Sequence, residues 1–323
     1  MDPSPYAYFE GAIRPFADCK ISIMNHTFLY GTGVFEGVRG YWDDQSHRLN
    51  IFRLREHYER LEKSARILRT KLPASIDELC EITAELCRRN GHEEDIYIRP
   101  QAYKADLVIG PELINRTDAF FIFSLPFGKY LEVQTGMHVG VSSWRRVQDN
   151  MIPARAKVTG IYVNSSLART EAMESGFDEA IMLNQNGYVG EGSSENLFLV
   201  KNGTLITPDN SDDILEGITR HTIITLAKEE LGIETELRHI GRTELYTADE
   251  MFFTGTGAEV TPITKVDHRE IGTGKIGDVT ERIRQVFFEV VRGRRPKYQH
   301  WLHRVESAKS STVKQPELSA VAS

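Results

Sequence analysis

Cysteine is scarce in this chain: three residues, Cys19, Cys80 and Cys87, among 323. An odd count with no CxxC pair excludes a disulfide scaffold and a redox motif. Reduced thiols of a cytoplasmic protein are the simplest account. Long apolar runs are lacking too, and nothing approaches the roughly 18 consecutive apolar residues of a membrane span. Met1-Asp2-Pro3-Ser4-Pro5 has neither the basic start nor the apolar stretch of a signal peptide. Positive charge is not in excess: 39 Lys and Arg against 46 Asp and Glu leave a net charge of −7. With no basic stripe, a nucleic-acid partner is not expected. No internal repeat is present, and only 306–323 has a composition that suggests a disordered tail.

What is present is globular composition, 40% hydrophobic and 26% charged, with mean hydropathy −0.36. At roughly 150 residues per domain the length allows about two domains. Leu49–Phe52 reads as a strand, and Arg53 to Leu68 as a helix with Leu54, Tyr58, Leu61, Ala65 and Leu68 on one face. Ser75 with Glu78 forms a capping box for a second helix reaching Arg89. Strands are expected at 96–99, 119–123, 138–141, 180–183, 188–189, 196–200, 204–206 and 250–253. Asn186-Gly187 and Asn202-Gly203 are hairpin turns between them. Further helices are predicted over 165–174, 219–231 and 279–291. Hairpins interleaved with helices, without βαβ alternation, indicate a mixed α/β (α+β) class. Pro126-Phe127-Gly128-Lys129 breaks the pattern. It suggests a small domain over 1–124, a linker at 125–135, and a larger domain over 136–305.

Several familiar motifs are absent. There is no HExxH and the ten histidines are scattered, so no metal site is expected. Gly272-Thr273-Gly274-Lys275 is followed by Ile276, not by the Ser or Thr of a phosphate loop. Gly190-Glu191-Gly192 lacks the third glycine of a dinucleotide fingerprint, and no G-x-S-x-G elbow occurs. Three features remain. Leu215 to Arg220 places free backbone N–H groups and a Thr hydroxyl at a helix start, which suits an anion, although Thr219 as a plain cap is the favoured account of the segment taken alone. Lys157 lies among small and apolar residues, as an amine for Schiff-base chemistry or as a lysine snorkelling to the surface. Glu191 is bracketed by glycines, to admit a flat ligand or simply to turn. Together an amine, an acid and an anion site fit pyridoxal 5'-phosphate.

These residues fall within longer motifs: Tyr30 to Arg39 (YGTGVFEGVR), Arg55 to Leu61, Tyr97-Ile98-Arg99-Pro100, Ala156-Lys157, the Glu191 segment, Gly217 to Arg220, and Thr254 to Glu259. In that order they resemble the fold-type IV pyridoxal-phosphate enzymes, most closely the branched-chain amino acid aminotransferases, from about Phe9 to Val305. The resemblance implies a small α/β N-terminal domain, a larger pseudo-barrel domain, and a homodimer or higher oligomer with shared sites. It implies a ping-pong exchange between L-leucine, L-isoleucine or L-valine and 2-oxoglutarate. Lys157 would hold the cofactor as an aldimine and shuttle the proton, Glu191 would pair with the ring nitrogen, and Tyr162 would meet the phenolic oxygen. Arg60, Ile218, Thr219 and Thr256 would bind the phosphate, with Leu215 against the ring. Tyr30, Phe35, Arg39, Tyr97, Arg99, Phe127, Tyr130, Gly257 and Ala258 would receive the substrate.

Two departures bear on the pocket: Val108-Ile109-Gly110 is bulkier than the family's short loop, and Phe127 stands where Trp is frequent. The same fold serves (R)-selective amine transaminases, D-amino acid transaminases and aminodeoxychorismate lyase. An enzyme accepting both (R)-amines and L-amino acids is the alternative reading.

Overall fold

The computed structural model describes residues 4–128 and 135–306. Seven strands come first: β1 (Tyr6–Phe9), β2 (Ala12–Pro15), β3 (Val34–Phe35), β4 (Val38–Asp43), β5 (Arg48–Phe52), β6 (Ile96–Lys104) and β7 (Asp118–Pro126). Nine more build a second sheet. They are β8 (Met137–Val141), β9 (Glu179–Leu183), β10 (Val189–Gly192), β11 (Asn196–Lys201), β12 (Thr204–Thr207), β13 (Thr235–Leu237), β14 (Glu250–Gly255), β15 (Glu259–Val266) and β16 (Arg269–Glu270). The last strand, β17 (Leu302–Glu306), pairs with β5, so the first sheet runs β17-β5-β4-β6-β7-β1-β2 with β3 beside β6. The second runs β10-β9-β8-β15-β14-β11-β12-β13, with β8 parallel to both its neighbours. This is the mixed α/β class that the sequence leads one to expect.

Six helices cover the sheets: α1 (His26–Tyr30), α2 (Leu54–Ile67), α3 (Ile76–Asn90), α4 (Tyr162–Glu174), α5 (Ile218–Leu231) and α6 (Asp278–Val291). The apolar stripe of α2 (Leu54, Tyr58, Leu61, Ala65) meets Leu79, Cys80, Ala84 and Cys87 of α3 and Val38, Ile96 and Ile98 of the first sheet in one core. Both hydroxyl and amide ends of the Ser75–Glu78 capping box are formed. A second core sets Ile223 and Leu226 of α5 and Ile283, Val286 and Phe287 of α6 against Phe198 and Phe252.

Some elements differ from the sequence expectation for physical reasons. β6 continues through Pro100 to Lys104, although proline usually ends an inner strand. Pro100 sits where the partner changes from β4 to β3, and its carbonyl still accepts the Glu36 N–H at 2.9 Å. α4 begins at Tyr162 rather than at 165, because a 3-10 turn over Thr159–Ile161 leads into it without a side-chain cap. Arg53 lies outside α2 with φ 51°, as its N-cap. β17 brings residues 302–306 to the first sheet by pairing with β5, far from it in sequence. No helix among the described residues is long and apolar enough to cross a membrane.

Candidate active site

Lys157 is anchored by its backbone, which leaves the side chain free to act. Its carbonyl accepts the Phe35 N–H at 3.1 Å and its own N–H donates to Ser64 Oγ of α2 at 3.2 Å. Ala156 and Val158 on either side are buried in the first core. The amine projects into a cleft of about 390 Å³, where Nζ donates to Tyr162 Oη at 2.6 Å and lies 5.0 Å from the centre of the Phe35 ring.

Glu191 enters the same cleft from β10, at a register shift between Val189 and Glu191. A bulge of this kind re-aims a side chain. Its carboxylate is buried and fully partnered: Arg146 at 2.6 Å, Asn196 Nδ2 at 2.9 Å and the Leu215 N–H at 3.1 Å. Burial pushes the carboxyl up, while the Arg146 guanidinium and the Leu215 N–H pull the other way. Asn196 also donates to the Leu215 carbonyl at 2.9 Å, so one amide ties the acid to the segment entering α5.

That junction explains Gly217, the residue before α5. A Cβ there would stand 1.9 Å from Asn196 Oδ1. Gly217→Ala must displace Asn196, and the overpacking is expected to cost about 1–3 kcal/mol. Cofactor titration of the purified variant should show weaker binding than wild type; unchanged affinity and melting temperature would exclude this packing role.

The other end of the cleft is built for an anion. Gly217 gives α5 no side-chain cap, so the N–H groups of Ile218 and Thr219 have no capping partner. Arg60 reaches this end from α2, with Nη1 on the Glu216 carbonyl at 2.9 Å. Glu36 holds it in a fork, Oε1 to Nε at 2.8 Å and Oε2 to Nη2 at 2.7 Å. His57 Nδ1 adds a third contact to Glu36 at 2.8 Å. Burial opposes the Glu36 charge, yet Arg60 and His57 outweigh it and hold the carboxyl at about 2. Arg53 braces the first turn of α5 through the Ile218 carbonyl at 3.4 Å and Thr222 Oγ1 at 2.9 Å.

Phe35, Tyr97, Arg99, Phe127, Gly257 and Ala258 also line the cleft, as do Leu215, Ile218, Thr219 and Thr256. Arg99 donates to Tyr97 Oη through Nε at 2.9 Å and Nη2 at 2.6 Å, and stacks 4.3 Å over Phe35. Thr256 Oγ1 donates to the Gly37 carbonyl at 2.9 Å. Tyr30 and Arg39 are not on the wall formed by this chain: Tyr30 Oη accepts the Gly110 N–H, and Arg39 is buried behind Phe127. Tyr130 lies outside the described residues. Val108 and Ile109 are exposed, away from this cleft. The sequence reading missed Arg146, Asn196, Glu36 and His57. Only the Glu191, Tyr30–Arg39 and Arg55–Leu61 motifs hinted at Asn196, Glu36 and His57; Arg146 is joined to the site by tertiary contact alone.

The donor set fits pyridoxal 5'-phosphate: one lysine amine, a buried carboxylate, and uncapped N–H groups beside an oriented arginine. Residues 33–266 match the family model for amino-transferase class IV. A probable branched-chain-amino-acid aminotransferase of Aquifex aeolicus is 52% identical over 92% of this chain and 96% of its own. The holo, PLP-form structure of the branched-chain amino acid aminotransferase from Thermobaculum terrenum superposes with a TM-score of 0.90 at 39% identity, covering 94% of this chain and 99% of that one. The branched-chain aminotransferase of the thermophilic archaeon Thermoproteus uzoniensis, solved with norvaline, gives 0.89 at 44%, covering 93% and 98%. The chain belongs to the class IV aminotransferases, and within them to the branched-chain-amino-acid aminotransferase family.

Proposed function

We propose that the protein moves the amino group of L-leucine, L-isoleucine and L-valine to 2-oxoglutarate in two alternating half-reactions. The observation that carries this reading is a single cleft holding the Lys157–Tyr162 pair, the Glu191–Arg146 pair, and the Arg60–α5 anion end. When bound, pyridoxal phosphate supplies a carbonyl that takes up an amine and a ring that accepts the electron pair left at Cα. Arg60 and the N–H groups of Ile218 and Thr219 hold the phosphate. Glu191, held in place by Arg146 and Asn196, would hold a proton on the ring nitrogen. Lys157 Nζ, positioned by Tyr162, accepts and returns the proton at the substrate Cα. Phe35, Tyr97 and Phe127 offer an apolar wall for an aliphatic side chain, the kind that norvaline carries in the Thermoproteus uzoniensis structure. Arg99, set within that wall, suits the second carboxylate of glutamate.

A homodimer and a cytoplasmic setting belong to the same proposal. Ile23 and Phe28 around α1 and Ile109 in the following loop are 82%, 67% and 79% exposed, an apolar surface that suits a second copy. All three cysteines are free thiols. The change of sheet between β7 and β8 favours two domains, the first completed by β17.

Mixing the holoenzyme with L-leucine, L-valine, D-alanine and (R)-1-phenylethylamine tests the reading. The two L-amino acids should bleach the cofactor absorbance, and 2-oxoglutarate should restore it. Bleaching by the amine alone would establish the alternative activity instead.

A further inference from the structure

Glu259 breaks a backbone rule at a place where the cleft needs accuracy. It closes the β14–β15 hairpin opposite Gly255, directly after the turn Thr256-Gly257-Ala258 that lines the cleft. Its φ is +55°, a left-handed conformation at a hairpin position where glycine is the usual choice. Its carboxylate does not reach solvent freely: the side chain is 12% exposed and meets Arg39 Nη2 at 3.5 Å, with the Tyr41 hydroxyl donating to it. Arg39, 3% exposed, donates through Nη1 to the Gly128 carbonyl at 3.1 Å and stacks on Phe127 at 4.9 Å. Phe127 in turn lies 5.4 Å from Tyr97. One guanidinium therefore joins β4, the hairpin tip and the segment after β7.

The geometry points to Glu259 and Arg39 as a pair of positioning residues that hold the 256–258 turn and the Phe127–Tyr97 wall at a fixed separation for the substrate's carboxylate. This rests on the aminotransferase reading and changes one part of it: Arg39 acts through Glu259 and Gly128 instead of touching the substrate. The turn has two other anchors, Thr256 Oγ1 to the Gly37 carbonyl at 2.9 Å and Thr261 Oγ1 to the Ala258 carbonyl at 2.6 Å. The second is local and the first ties the turn to the segment between β3 and β4, whereas the Arg39–Glu259 pair adds the link to Gly128 and Phe127 that neither of them makes. A strained residue kept for its side chain is the expected mark of such a device.

The test uses holoenzymes of Glu259→Gln, Glu259→Gly, Arg39→Lys and the double variant Arg39→Lys/Glu259→Gln. Glycine relieves the left-handed strain, so a purely structural role predicts an equal or higher melting temperature and unchanged KM for Glu259→Gly. The positioning role predicts that KM for L-leucine and for 2-oxoglutarate rises about ten-fold in every variant, with kcat changed much less. The Kd of 4-methylvaleric acid, a carboxylate without an amine, should rise in parallel, while cofactor absorbance and affinity stay as in wild type. The double variant should be no worse than either single one. If the Glu259 variants leave KM and Kd unchanged, or only the Arg39 variant raises them, the inference is overturned. A wild-type holoenzyme inert to L-leucine would instead defeat the functional reading.

Discussion

Lys157→Ala is expected to lower turnover with L-leucine by at least ~10³-fold, at the upper end of what a positioned acid–base group contributes. It is the lysine among the residues lining the cleft; the other cations there are guanidinium groups, which do not deprotonate near neutral pH. On the proposed function, removal would delete both the amine that engages the cofactor and the base that serves Cα. The fold should be nearly indifferent, because the contacts that anchor residue 157 are made by its backbone to Phe35 and Ser64 and survive in alanine. The measurement pairs steady-state rates with the absorbance of the purified protein after cofactor addition. Retained turnover, or an unchanged cofactor band, would remove Lys157 from its assigned place.

Glu36→Gln is expected to cost about 3 kcal/mol of stability at pH 7 and to weaken cofactor binding. The carboxylate is fully buried, and lowering its pKa from 4.5 to about 2 corresponds to a stabilisation of that order. Removing one member of a buried ion pair also leaves the Arg60 charge without its fork. The sign of the pH dependence follows from the direction of the shift. A depressed carboxyl stabilises the fold above its unfolded value and loses that contribution as pH falls toward 2. Wild type and variant should thus differ fully at pH 7, and the gap should narrow steadily below pH ~4.5. Denaturant titrations at several pH values read this directly. A gap that is absent at neutral pH, or that widens in acid, contradicts the ionised fork. His57 is a poor substitute for the missing charge balance, since burial pulls its pKa below the usual histidine value.

The parts of this molecule that were legible from sequence are those in which local chemistry and tertiary environment agree. Leu54, Tyr58, Leu61 and Ala65 share a helical face and are buried together, so periodicity alone places α2. Asn202 and Gly203 take φ of 50° and 78°, the turn that their residue types favour. Lys157, Glu191 and Arg60, which the fold brings to one cleft, each sit inside an extended motif, although nothing local separates a cleft lysine from a surface one. Arg146 stands 45 residues before its partner Glu191, so no spacing rule links them; His57 shares a motif with Arg60, but its contact with Glu36, 21 residues earlier, is tertiary. β6 beyond Pro100 was hidden by a residue that ordinarily ends strands. β17 was hidden because its partner lies at the other end of the described chain.

That last strand bears on how the protein is made. β5 ends at Phe52 and its neighbour β17 begins at Leu302, so roughly 250 residues are synthesised before the edge of the first sheet can be covered. Until then β5 presents unpaired N–H and C=O groups, the kind of edge that recruits strands from other chains. Closing so long a loop late makes assembly of this sheet a matter of timing as well as of affinity. A nascent chain halted before Trp301 would also lack the carbonyl that accepts the Arg53 N–H at 2.7 Å and the indole over which the Arg53 guanidinium lies. Arg53 in turn braces the start of α5. The anion end of the cleft therefore acquires its final support only when the last strand docks.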